Sequence, residues 1–286
     1  MGGGHAHYVI LDRDGPRVWS RDRGAHSLLG DLLNGPERTV AFIRDQRGGT
    51  PDFWMNAVWW TGFALLDLRR RLLLVHTVED IPGYEPGTSV LEIRAWLELA
   101  ENAWPRWRVA WATRGLYEVM DRLGLPYDTV RYLDDPLSLP AGQWASAPVD
   151  DDDPSTVAGT VIAVRDATGR LSFGGWWGGC LAEPLMAGPA PLLTPQDEAT
   201  PCAVLAAVPR GGALLDARER RLDWWSVDCP MDLRRLDDAW RGWTLTDHGD
   251  AFEEVAALTG PDLLLESAPR EEVLRRVRAA LGVRAP

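Results

Sequence analysis

A chain of 286 residues is long enough for two domains, each able to bury a core of its own. Its formal net charge of −12 argues against a nucleic-acid partner, because a phosphate backbone selects a basic face. No window nears the ~18 uninterrupted apolar residues of a spanning helix, so no membrane association is expected.

In chain order, His7 to Leu11 and Arg17 to Trp19 flank Asp12-Arg13-Asp14-Gly15, the pattern of a β-hairpin. A short helix is expected from Ala25 to Leu33, ended by Gly35-Pro36, and Thr39 to Ile43 reads as a strand. Phe63 to Leu66 and Leu72 to Val75 form a second hairpin around Asp67 to Arg71. Their unbroken apolar runs point to strands covered on both faces. Val90 to Ala103 shows helical spacing, with Val90, Leu91, Ile93, Trp96, Leu97 and Ala100 apolar. A strand from Trp107 to Ala112 and a helix from Leu116 to Leu123 follow.

After a segment containing Asp150-Asp151-Asp152-Asp153-Pro154, which reads as a solvated linker, the pattern starts again. Val161 to Val164 and Leu171 to Phe173 form a hairpin. Cys180 to Met186 is a short helix, and Ala213 to Leu215 with Leu222 to Trp225 form the second hairpin. Trp243 to Thr246 is a strand and Phe252 to Leu258 a helix. Gly62 to Asp67 recurs as Gly211 to Asp216, a shift of 149 positions. Leu28, Leu32 and Gly35-Pro36 recur as Leu181, Leu185 and Gly188-Pro189 at a shift of 153. Trp104 and Trp107 recur as Trp240 and Trp243 at a shift of 136. The 13-residue fall from 149 to 136 is about the length of the Val90 to Ala103 helix, so the second copy is expected to lack most of it.

The expected fold is therefore α+β: two tandem copies of one mixed hairpin-and-helix unit, forming a pseudo-twofold pair, with helices on one face. Residues 1–135 are the first repeat, 136–157 a Pro/Ala/Asp-rich linker, 158–265 the shortened second repeat and 266–286 a separate C-terminal amphipathic helix.

Fifteen tryptophans are the main compositional surplus. Trp104, Trp107, Trp240 and Trp243 fall at matching places and suit core packing. The adjacent pairs Trp59-Trp60, Trp176-Trp177 and Trp224-Trp225 differ, because strand neighbours point to opposite faces. One ring of each pair is expected to be exposed and available for binding. The matching carboxylates Asp67 and Asp216 read as turn residues, and Glu79 and Asp228 form a second matching pair.

Cys180 starts an expected helix after Gly178-Gly179, where a helix N-terminus lowers a thiol pKa. It is the candidate nucleophile of an alternative reading as a cysteine-dependent hydrolase or transferase. His248 or His76 would be its base, and Asp247 or Asp228 the group orienting that base. Cys180, Cys202 and Cys229 show no CxxC spacing, and no metal-ligand or phosphate-loop motif is present, so no metal or cofactor is expected. Met1 to His5 lacks the basic and apolar regions of a signal peptide, which points to the cytoplasm. The leading expectation is an acidic binding protein (inhibitor, immunity factor or scaffold). It would take a protein or peptide partner, cationic by charge complementarity, in a Trp-lined groove of the second repeat.

Overall fold

The computed structural model describes residues 4–54, 60–81, 88–129, 143–146, 160–177, 180–194, 199–205, 207–265 and 267–283. The chain divides into two compact units, one of residues 1–133 with 268–286, the other of residues 134–267. Both are mixed α+β. The acidic run at 150–154 and most of the expected linker lie outside the described residues.

The first unit is built on β1 (His5–Asp12), β2 (Gly15–Arg21), β3 (Arg47–Thr50), β4 (Trp60–Asp67), β5 (Leu72–Thr77) and β6 (Arg108–Trp111), in the order β3-β2-β1-β4-β5-β6. β1 runs parallel to β4 and β5 parallel to β6, while the hairpins β1-β2 and β4-β5 are antiparallel. β4 and β5 are interior strands with both faces covered, which is why their apolar runs have no polar alternation.

The helices are α1 (Leu28–Leu32), α2 (Pro36–Arg44), α3 (Val90–Ala103) and α4 (Leu116–Leu123). They cover both faces of the sheet, not one. Leu116, Val119 and Met120 of α4 pack on Val9, Val18, Phe63, Leu65 and Leu74. On the opposite face Tyr8 meets Phe42 of α2, Gly62 admits Leu28 of α1, and α3 lies beside β6.

The strand expected at Thr39 to Ile43 is helical instead. Gly35 takes a left-handed φ of 79° and Pro36 opens α2 with its missing N–H at a position that needs none. Thr39 and Ile43, four residues apart, then supply the buried stripe. The same Gly-Pro signal opens a helix in the second unit, where Gly188 has φ 80°.

The second sheet contains β7 (Gln143–Ser146), β8 (Thr160–Arg165), β9 (Leu171–Trp177), β11 (Gly211–Asp216), β12 (Arg221–Ser226) and β13 (Thr244–Asp247), in the order β7-β9-β8-β11-β12-β13. Every neighbouring pair has the same sense as its counterpart in the first sheet. The sheets differ in where the first edge strand comes from: β3 follows β2, whereas β7 precedes β8. A small parallel pair, β10 (Ala203–Leu205) with β14 (Leu263–Leu265), has no counterpart in the sequence reading.

On one face of the second sheet, α5 (Ala182–Met186), α6 (Pro189–Leu193) and α7 (Leu233–Ala239) close a core with Ile162, Ala213, Leu215, Leu222 and Trp224. α8 (Phe252–Thr259) packs on β11 and β12. It hydrogen-bonds through its Leu258 carbonyl to Arg165, whose other amine reaches Asp216 at 2.7 Å.

Individual contacts repeat as well. The Trp104 indole donates to the Leu32 carbonyl at 2.6 Å, and the Trp240 indole to the Leu185 carbonyl at 2.6 Å. Trp107 stands edge-on to Trp104, and Trp243 edge-on to Trp240, at 4.9 and 5.1 Å. Between β5 and β6 the chain forms the 14-residue α3, capped by Ser89 and Glu92; between β12 and β13 it forms only the seven-residue α7. The expected loss of this helix is thus a halving. The C-terminal helix α9 (Arg270–Ala280) is not separate: it packs on α3 in the first unit, with Arg270 donating to Glu98 at 2.5 Å.

Candidate functional site

Among the described side chains the paired tryptophans are buried. Trp224 and Trp225 point to opposite faces of β12, but both faces are covered, leaving the rings 3% and 1% exposed. Trp224 belongs to the core under α5 and α7, and Trp225 lies across Gly212 with its N–H toward the Pro209 carbonyl. Trp176 is buried and donates to Glu183 at 3.1 Å; Trp60 is buried against Phe63. The expectation of one exposed ring in each pair fails for Trp224-Trp225, because helices cover both faces of their sheet. Trp59 and the side chain of Trp177 lie outside the described residues.

Cys180 does not head a long helix. The helix after Cys180 starts at Ala182 and is five residues long. Burial and the nearby Asp228 carboxylate push the Cys180 thiol up to about 12, despite hydrogen bonds from Ala182 and Glu183 that oppose the shift. Cys180 packs on the core that contains Leu222 and Trp224. His248 binds Asp223, whose side chain projects from the opposite face of β12. Asp247 accepts from the Gly249 N–H at 2.9 Å in a local turn. The Cys180 thiol and the His248 imidazole thus lie toward opposite faces of β12, with Asp228, not Asp247, the candidate carboxylate near the thiol.

The paired carboxylates cap backbone. Asp67 accepts the N–H groups of Arg69 and Arg70, and Asp216 those of Arg218 and Glu219. Glu79 faces His26 at 3.1 Å, and Asp228 faces Arg210 at 3.9 Å. Among the described residues no three His, Cys, Asp or Glu side chains form a group able to hold a metal ion. Among the same residues no helix is long and apolar enough to cross a membrane.

Two polar arrangements emerge only in three dimensions. The first is a row across the first sheet. Register places Ser20 opposite His7, His7 beside Phe63, and Phe63 opposite His76. All four are buried; the His76 ring stacks on Phe63 at 5.7 Å and His7 tilts against Trp54 at 5.8 Å. The register-matched row of the second sheet is Gly175, Val161, Gly212 and Trp225, where one indole takes the space of the polar side chains. Sequence spacing gives no hint of the first row, since its members come from four strands.

The second arrangement surrounds His248, just after β13. Its Nε2 is 2.9 Å from Asp223 and its Nδ1 is 2.7 Å from Glu254 in the first turn of α8. Arg221 donates to the same Asp223 oxygen at 2.6 Å. Burial opposes protonation of His248, but hydrogen bonds and charge from the two carboxylates outweigh it and raise its pKa above the ordinary histidine value.

Among the strands of the second sheet whose burial is described, β13 is the most open. The Thr244 N–H bonds the Arg220 carbonyl and the His248 N–H the Trp224 carbonyl, so the intervening Leu245 and Asp247 amides face away from β12. In register, Leu73 pairs with Val109 and Val75 with Trp111 in the first unit; Leu222 pairs with Leu245 and Trp224 with Asp247 in the second. Val109 and Trp111 are buried beside α3, with Trp111 edge-on to Trp96 at 6.2 Å. Leu245 and Trp243 are only half-buried, Asp247 is exposed, and α7 carries the exposed Leu233. No protein-family model, curated protein or solved structure matches this chain.

Proposed function

We propose that the chain is two diverged copies of one α+β module, and that the second copy works as an acidic protein-binding module. The repeated strand senses, the paired Trp104/Trp240 hydrogen bonds and the matched glycine-proline helix starts support common descent of the two units. The observation that carries the binding reading is the contrast at matched register positions. Val109 and Trp111 are covered in the first unit, whereas Leu245 and Asp247 stand open in the second.

A shortened helix leaves the half-buried side chains of Leu245 and Trp243 beside the edge strand of the second sheet. That combination suits an extended segment of a partner chain adding to β13, with Leu245 and Trp243 as its apolar contacts. The excess of acidic residues favours a cationic segment, whose encounter is steered by charge. The reading keeps the protein in the cytoplasm as an inhibitor, immunity factor or scaffold.

Leu245→Asp tests it. A charge at this half-buried position opposes docking, and because Leu245 also packs against the core, capture is compared on variant protein whose unfolding transition matches wild type. Saturable, salt-sensitive capture of a protein on immobilised wild type is expected to fall at least about tenfold with Leu245→Asp, the loss of one well-placed contact. Val78→Asp, at a site 41% exposed in the first unit, is expected to leave capture unchanged. Equal capture by all three proteins would refute the reading.

A further inference from the structure

His248 sits at the junction of the three elements that frame the open edge. It follows β13, and its ring joins Asp223 of β12 to Glu254 of α8. Both ring nitrogens face carboxylate oxygens, which only accept hydrogen bonds. An imidazolium donates from both nitrogens and satisfies both carboxylates. Neutral imidazole carries a single N–H, so one of its lone pairs must then oppose a carboxylate. We propose that His248 is a proton-operated clasp: when charged it ties the end of β13 to the first turn of α8, and on losing its proton it releases Glu254.

The surroundings decide which carboxylate lets go. Asp223 is 1% exposed and keeps the Arg221 guanidinium at 2.6 Å, so it remains paired in either state. Glu254 is 66% exposed, and water can take over its hydrogen bonds. The other charged groups around the clasp are fixed. Arg221 of β12 feels Asp216 of β11, and Asp216 is held by Arg165 of β8. Asp247 is tied into the Gly249 turn, and the charges that favour the protonated ring are those of Asp223 and Glu254.

The raised pKa sets the direction of the response. The stabilisation is complete below the ordinary histidine value of about 6.5 and is lost as pH rises through the higher folded-state value. The clasp is closed in mild acid and opens toward alkaline pH. Its consequence for binding rests on the β13 docking reading: a released α8 turn changes how rigidly the Leu245 edge is presented.

Two measurements on the whole protein, without any partner, test the clasp. NMR titration of the His248 ring, assigned by its disappearance in His248→Gln, is expected to give a pKa above about 6.5. Glu254→Gln should bring it down. Amide exchange over residues 244–254, corrected for intrinsic base catalysis, should lose protection as pH rises through the same midpoint. His248→Gln should abolish that step. A His248 pKa at or below 6.5, a pKa unmoved by Glu254→Gln, or corrected exchange that is flat through the titration would overturn the proposal. Because neither readout involves docking, failure here leaves the Leu245→Asp result standing, and loss of the docking reading leaves the clasp intact.

Discussion

Trp104→Ala and Trp240→Ala are expected to be the most damaging single substitutions, each lowering the stability of its own unit by about 4–6 kcal/mol. Both rings are among the largest fully buried side chains in the protein. A buried indole removes ~150–250 Å² from water, which at ~25 cal/mol per Å² amounts to ~4–6 kcal/mol. Truncation also strands the Leu32 or Leu185 carbonyl, each of which now accepts an indole N–H at 2.6 Å. An unsatisfied buried acceptor costs about 1–3 kcal/mol, offset here by partial collapse of the cavity. A whole domain is stable by only about 5–15 kcal/mol, so either variant leaves one unit near its unfolding limit. Phe in place of Trp keeps much of the apolar volume and loses the hydrogen bond, for about 1–3 kcal/mol. Denaturant unfolding resolves the two units if each variant moves one transition. A cost under 1 kcal/mol for Ala, or Phe as harmful as Ala, would contradict the packing described.

Gly212→Ala is the second large effect. A Cβ at Gly212 would meet the Trp225 ring at 2.1, 2.4 and 2.6 Å, inside contact distance at three atoms. Trp225 is 1% exposed, and its N–H is directed to the Pro209 carbonyl, so turning the ring away from Gly212 would also disturb that contact. Overpacking of this kind costs about 1–3 kcal/mol or more, even though alanine is the better strand residue. The penalty belongs to the pair. In a Trp225→Leu background the same substitution should cost under about 0.5 kcal/mol, giving a double-mutant coupling of about 1–3 kcal/mol. An equal penalty in both backgrounds would mean that the indole does not occupy the glycine's face. The first unit provides the contrast, since its matched pair is Phe63 and His76, stacked side by side.

Local signals in the sequence were strong where a helix or hairpin carried its own stop. Leu116 to Leu123 is helical between the same residues that its spacing indicates, with Gly124 in the left-handed conformation behind it. The hairpins around Asp67 and Asp216 follow from an aspartate able to accept two backbone N–H groups at a turn. Thr39 to Ile43 misled because a β-branched apolar run carries no period of its own, and Pro36 was read as a helix stop when it is a helix start. Trp224-Trp225 misled for a tertiary reason. Alternation sets the direction of each ring, but only the placement of α8 opposite α5 and α7 decides that neither direction reaches water.

The site was less legible than the fold. Leu245 is unremarkable in sequence, and its openness depends on the length of a helix that ends before it. Residue type alone suggests His248 as a base for Cys180, since both side chains do chemistry. Its actual partners, Asp223 and Glu254, lie 25 residues before it and 6 after, joined by strand register and helix docking. The row of Ser20, His7, Phe63 and His76 needs three separate strand pairings before it exists.

Photocrosslinking from defined positions tests the open edge of the second unit most directly. A photoreactive residue is placed at position 245 or at its buried register match, position 109. Position 245 is expected to give one saturable protein adduct, competed by unlabelled wild type and not by Leu245→Asp, while position 109 gives none. Equal labelling from both positions, or no competable adduct from 245, would contradict the claim that β13 is where a partner docks.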